Sequence, residues 1–479
     1  MRRALSLVFL MGACNYVVLV APGPGSGTGG DGTLPNVRLT PVDRVDVLVV
    51  MDSSPSMAGK QAAVASGVRA LVAGLSKVNV HFGVVTADLG AGSYVGGGCH
   101  GGGDGAMLRG VGAAAPGSCA PLAGGADYLQ IAPTGTSNAP GTVDAAIDCM
   151  MQVGTAGCAF GQPLEAARTV ITGRSDFVRA DAVLVVIFAT DEDDCSAAPG
   201  TDLFNPASGD LGPLTTFRCA RFGIAVGDPP MPLPVAVSGG PLPMPSPIAG
   251  TTHLYDLTRY VNLFARPLQT VATDAGTVSL GIKPDPADVL VLAIAGSPEP
   301  VEVIATGPAI EPDAVQAPCV GALDGVSCYP ALRHACVGPD PRLYAGPAVR
   351  LRAVVAAAHR GDSASLCAAD HRAEFDDLGV RIADQQGGHE CLQTFLPDPQ
   401  NPVCAVEQER LADGMTTAIP ACAETARVPP CWTITADASC APAIDPRTGA
   451  AERLRLRVTW GAAEKPATDY VTRVRCVGL

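Results

Sequence analysis

Lysine is scarce in this chain: four residues, Lys60, Lys77, Lys283 and Lys465, among 32 basic side chains in 479 positions. Nearly all positive charge is therefore Arg. With the heavy use of Ala, Gly, Val and Pro, this reads as the codon bias of a GC-rich genome and not as function. Basic charge as a whole is outnumbered, and the net charge of −14 excludes nucleic acid as a partner, because phosphate binding needs a basic surface. No Cys-x-x-Cys pair occurs and the seven histidines are scattered, which sets structural zinc well behind disulfides. His-Glu-x-x-His and Gly-x-Ser-x-Gly are also absent, and His389-Glu390 runs into Cys391 with no second His. The chain is accordingly read as a non-enzyme, with a hydrolase site scattered among its Ser and Asp residues as the remaining catalytic alternative. No internal repeat is evident.

What is present is globular. Hydrophobic residues make up 47% and charged residues 16%, and a length prior of about 150 residues per domain gives two or three units. Residues 1–20 read as a signal sequence: Met1-Arg2-Arg3, a short apolar run, then Gly12-Ala13-Cys14, which resembles a bacterial lipobox with Cys14 as the lipidated residue. An uncleaved anchor running through Val20 is the alternative, and no later segment is long and apolar enough to span a bilayer. Residues 21–41, rich in Gly and Pro, form a flexible tether. Without Cys14 the 17 cysteines leave an even 16, compatible with up to eight disulfides. That density implies an oxidising, extracytoplasmic compartment, with membrane contact only through the N-terminal lipid.

From residue 42 apolar runs alternate with helical patterns. Val45–Met51, Val78–Asp88, Asp181–Thr190 and Asp288–Gly296 read as strands, the near-continuous ones covered on both faces of a parallel sheet. His81, within one of them, reads as a half-buried strand residue and not a ligand. Asp127–Ile131 reads as a short strand. Val64, Val68, Leu71, Val72 and Leu75 mark one face of a helix, and further helices are expected over 143–153, 162–171, 254–268, 347–358 and 372–383. The alternation predicts a doubly wound, mostly parallel α/β domain over 42–388, with a disulfide-pinned insertion at about 89–126 and an irregular one at about 196–250. Residues 389–479 hold six cysteines and the alternating Leu454–Trp460, which predicts a small antiparallel β module with outward Arg.

Two strand ends carry chemistry. Val45–Met51 runs into Asp52-Ser53-Ser54-Pro55-Ser56, and Asp181–Thr190 runs into Asp191-Glu192-Asp193-Asp194. Asp52 and Ser54 suit a helix N-cap, and a four-acid run suits a solvated turn. The same residues suit a divalent cation, because carboxylates and hydroxyls are hard ligands and strand ends are where open α/β sheets bind.

These residues resemble the von Willebrand factor type A (vWA) domain, whose cation site uses Asp-x-Ser-x-Ser after the first strand, a second-loop Thr, and an Asp ending the fourth strand. The resemblance covers roughly 45–385 and implies a Rossmann-like vWA fold. It also implies a metal-ion-dependent adhesion site of Asp52, Ser54, Ser56 and Asp191 holding Mg2+, with Ca2+ or Mn2+ as alternatives. Family spacing places the Thr near Cys158; Thr155 is the available hydroxyl, in a loop that a Cys149–Cys158 disulfide would remodel. The whole chain is similar to extracytoplasmic vWA lipoproteins of predatory high-GC bacteria. The resemblance implies a cell-envelope adhesion module whose metal accepts an exposed carboxylate from a partner protein. The alternative is an envelope scaffold whose metal only stabilises the sheet edge.

Overall fold

The computed structural model describes residues 44–476, less 76–77, 199, 236–243, 251–252, 274–275, 284–285, 308–315, 317–318, 320–327, 387–388, 393–394, 397, 400–401, 411–414, 423–429, 438–439, 441, 446 and 460–469. The signal segment, Cys14 and the tether lie outside the described residues. Six strands make the central sheet: β1 (Arg44–Met51), β2 (Asn79–Thr86), β3 (Leu129–Ile131), β4 (Val183–Ala189), β5 (Val289–Ala295) and β6 (Arg360–Ser365). Their order is β6-β5-β4-β1-β2-β3. All neighbours run parallel except β3, which lies antiparallel to β2 with Val80 opposite Ile131.

Among the described residues are seven α-helices, α1 (Gln61–Gly74), α2 (Val143–Met151), α3 (Pro163–Gly173), α4 (Phe217–Gly223), α5 (Thr258–Ala265), α6 (Val349–Ala357) and α7 (Arg372–Gln386), of which all but α4 pack on this sheet. The pleat sends Val45, Val47, Val49 and Met51 to a core shared with α1, α2 and α7. It sends Leu48 and Val50 to the other face, against α3, α5 and α6. Burial on both faces is why β1, β4 and β5 read as unbroken apolar runs. Each fully buried aliphatic side chain contributes roughly 1.5–3 kcal/mol, so the two cores dominate the stability of this part. At Gly67 of α1 the helix–helix approach demands glycine, because a Cβ there would lie 2.1 Å from Phe375 Cδ2 of α7.

Several expectations need correction. The edge strand β6, Arg-Gly-Asp-Ser-Ala-Ser, has no apolar run to announce it; only Ala364 along it is buried. The 196–250 insertion is not irregular throughout: it carries α4 and a small antiparallel sheet of Ile224–Val226, Met231–Pro232 and Ser246–Pro247. Cys149 does not pair with Cys158. The disulfides are Cys99–Cys158 and Cys119–Cys149, so the Gly-rich 89–126 excursion is tied to α2 and to the loop after it.

Beyond residue 389, two three-stranded antiparallel sheets share a core of Leu392, Leu396, Val406, Ile419, Trp432, Leu454, Leu456, Val458 and Val474. Arg457 faces solvent as expected, but Arg455 is buried and its Nε donates to Asp437 at 2.7 Å. The seven described disulfides each join cysteines on the same side of residue 389. Such a set needs an oxidising compartment to form. Among the described residues no helix is long and apolar enough to cross a membrane.

Candidate functional site

The strand order reverses between β1 and β4: the chain moves from β1 outward through β2 and β3, then returns to β4 and proceeds the other way. Ligands of open α/β sheets bind at the carboxyl ends flanking such a reversal. Asp52 follows β1 and Asp191 lies two residues beyond the end of β4, so both expected acids sit at this point. The pairing continues past the strands, with the Asp52 amide donating to the Ala189 carbonyl at 2.9 Å.

The cluster is buried and internally bonded. Asp52 is 1% exposed; its Oδ1 accepts from the Ser54 amide at 2.7 Å and its Oδ2 from the Thr190 hydroxyl at 2.7 Å. The Ser54 and Ser56 hydroxyls lie 3.0 Å apart, and Ser56 Oγ donates to Asp191 Oδ1 at 3.0 Å. Asp191 Oδ2 pairs with the Lys60 ammonium, and neither side chain is exposed beyond 1%. Burial, and then the charge of Asp191, push the Asp52 carboxyl above its ordinary range.

Local sequence explains how Lys60 gets there. Pro55–Met57 forms a single 3-10 turn, and Gly59 follows with φ of +85°, a left-handed conformation that glycine adopts without a Cβ penalty. The bend returns the chain beneath the strand ends just before α1 begins. The ammonium then lies 3.7 Å from the centroid of the Tyr344 ring, and His334 stacks on that ring at 4.4 Å. Burial and the nearby Lys60 charge lower the His334 pKa to about 4, so this imidazole is neutral near pH 7.

The loop carrying Thr155 abuts the cluster without joining it. Gln61 Nε2 bridges the Asp52 and Gly154 carbonyls, and the Gly157 amide donates to the Ser53 carbonyl at 2.8 Å. Thr155 is half-buried, and its hydroxyl takes part in none of the hydrogen bonds linking Asp52, Ser54, Ser56, Thr190 and Asp191. Cys158 is held in its disulfide, with its amide donating to Asp88 Oδ2 at 3.1 Å.

The acidic run after β4 is neither a solvated turn nor one shared ligand set. Asp193 accepts from the Arg350 and Leu351 amides and so caps α6. Asp194 accepts from the Leu164 amide, capping α3, and also meets the Ser196 hydroxyl at 2.6 Å and the buried Arg350 guanidinium. Burial raises the pKa of Asp194 despite that guanidinium. The roles of Lys60 and Thr190 in the cluster, and of Asp193 and Asp194 as helix caps, had no local signature in the sequence. The only signal for Lys60 was the rarity of lysine itself. His81 is half-buried, its Nδ1 meeting the Phe177 carbonyl at 3.0 Å.

The donors Asp52, Ser54, Ser56, Thr190 and Asp191 have the hard-oxygen chemistry of a Mg2+ or Ca2+ site. Their arrangement does not fit one. Both Asp52 oxygens accept hydrogen bonds, Asp191 is neutralised by Lys60, and Thr155 supplies nothing to the cluster. A divalent ion within roughly 5 Å of the ammonium would be repelled by about 7 kcal/mol at an effective dielectric of about 20. Among the described residues no three His, Cys, Asp or Glu side chains converge to hold a metal.

No known sequence family matches the chain, and no characterised protein matches it by sequence. Among solved structures, the pilus adhesin SpaC from Lactobacillus rhamnosus GG aligns over 93% of this chain and 40% of its own, at 11% identity and a TM-score of 0.27. The pilus adhesin RrgA from Streptococcus pneumoniae aligns over 93% and 58%, at 9% identity and 0.24. The adhesive tip pilin GBS104 from Group B Streptococcus agalactiae aligns over 94% and 81%, at 12% identity and 0.25. The chain thus spans about two fifths of SpaC, and at these TM-scores none of the likenesses bears on what the protein does.

Proposed function

We propose that this is an extracytoplasmic protein-interaction module of the vWA type, which meets its partner at the carboxyl edge of the central sheet. The observation that carries the reading is the convergence of Asp52 and Asp191, from two doubly buried parallel strands, on the point where the strand order reverses. Beside them lies a small cleft of about 30 Å³, lined by apolar Phe160, Phe217 and Leu332 as well as by Glu192, Thr216 and Gly346, large enough to take only the tip of a partner's side chain. The disulfide set agrees with an envelope or surface location.

A photo-crosslinker at Thr216, compared with one at Asp176, tests the reading on envelope fractions. Discrete adducts from Thr216 but not from Asp176 are expected. Equal labelling from both, or none, would end it.

A second reading keeps the metal: Mg2+, Ca2+ or Mn2+ on Asp52, Ser54, Ser56 and Asp191 meeting a partner carboxylate. The hard-oxygen donor set favours it and Lys60 opposes it. Calorimetry with each ion on the wild type and on Asp52→Ala decides, since binding lost in the variant would restore the metal.

A further inference from the structure

We propose that the strand-end site carries its own cation: the Lys60 ammonium does the neutralising work of a divalent metal, and the site operates without one. This goes beyond the interaction reading and holds whether or not the cleft meets a partner.

A fully buried ammonium needs a counter-charge and hydrogen-bond acceptors, since an unpaired charge away from water is prohibitively costly. Lys60 has both in Asp191 Oδ2, and the Tyr344 ring face adds a cation–π contact at 3.7 Å. The partner is the very carboxylate that the strand end would lend to a metal. Its other oxygen receives Ser56 Oγ, which in turn touches Ser54 Oγ, so ammonium, carboxylate and both hydroxyls form one continuous chain. Asp52 is closed separately by the Ser54 amide and Thr190.

Charge points the same way. Asp52 and Asp191 bring two carboxylates into a dry site, and Lys60 returns one positive charge through a covalent tether that no chelator removes. Lysine is suited to the place because its ammonium is a compact point charge, able to meet one carboxylate oxygen and one ring face together. The bend at Gly59 delivers it without strain.

The test uses the full chain with Mn2+ and Mg2+ as probes. Wild-type protein should leave the Mn2+ electron paramagnetic resonance signal that of the free ion, and should melt at the same temperature in EDTA and in excess Mg2+. Lys60→Met should melt lower and regain part of the loss when Mg2+ or Mn2+ is added; Asp52→Ala in the same background should abolish the regain. Lys60→Arg, which keeps the charge, should not bind Mn2+. Should Lys60→Met fail to fold, the wild-type Mn2+ signal and the wild-type melting temperatures in EDTA and in Mg2+ decide. Wild-type Mn2+ binding that Asp52→Ala removes would overturn the proposal, as would a Lys60→Met protein as stable as wild type. Crosslinking from Thr216 is independent of these outcomes, so failure here is distinguishable from failure of the interaction reading.

Discussion

Asp194→Ala is the most informative perturbation of the frame that holds the strand ends. Asp194 is 0% exposed and serves three partners at once: the Leu164 amide at the start of α3, the Ser196 hydroxyl, and the Arg350 guanidinium. Removing it strands a fully buried cation. The Arg350 guanidinium would keep the Tyr255 carbonyl at 2.8 Å as its hydrogen-bond partner, since its Nη1 already lacks one, with the Asp193 carboxylate as the remaining counter-charge nearby. Breaking a buried ion pair from one side costs roughly 3–5 kcal/mol, and losing a helix cap about 1 kcal/mol. The two losses overlap, so about 3–5 kcal/mol is expected, a large share of the roughly 5–15 kcal/mol that holds a typical domain. Denaturant unfolding with disulfides intact reads this through helical circular dichroism, since all seven described α-helices lie before residue 389. The double variant Asp194→Ala/Arg350→Met should recover a substantial part, because a buried pair replaced by apolar groups is often near neutral. An Asp194→Ala loss under about 1 kcal/mol would refute the reasoning and return the acidic run to a surface turn.

Other outcomes follow from particular contacts. Gly67→Ala gains up to about 1 kcal/mol of helix propensity but forces Phe375 aside, at an overpacking cost of about 1–3 kcal/mol. Equilibrium unfolding should therefore show a net loss that Phe375→Leu relieves, and a stabilised Gly67→Ala would contradict the α1–α7 packing. His334 has a folded pKa lowered from 6.5 to about 4, by burial first and by Lys60 second. Between those values the unfolded chain binds a proton that the folded chain does not, so this group makes stability fall as pH falls from 6.5 to about 4. His334→Phe, which keeps the ring stack on Tyr344, should flatten that limb in melting curves taken across the window; an unchanged slope would show the imidazole to be solvated.

How much of this could be read beforehand depends on where each feature's cause lies. Strands β1, β4 and β5 were legible because burial on both faces writes itself locally as an apolar run. The alignment of Asp52 and Asp191 was legible for the same reason, since each merely ends such a run. Strand β6 was not, because an edge strand needs one buried position where a central one needs them all. The cysteine pairing and the jobs of Asp193 and Asp194 were closed too. A carboxylate at 193 or 194 becomes a cap only when helices starting at 163 and 349 arrive beside it.

Lys60 lies between these cases. Its partners Asp191 and Tyr344 are distant in sequence, yet its scarcity was visible from the start. Of four lysines, Lys60 and Lys283 are wholly buried, which inverts the usual preference of this side chain for water. In a chain that otherwise uses Arg for positive charge, a lysine kept where no water reaches it marks a place that a guanidinium would fill badly. A planar fork would seek two carboxylate oxygens, and one of those on Asp191 already belongs to Ser56. The geometry of Asp191, shared between a hydroxyl and a single ammonium, thus accounts for lysine at this position in a chain that almost never uses it.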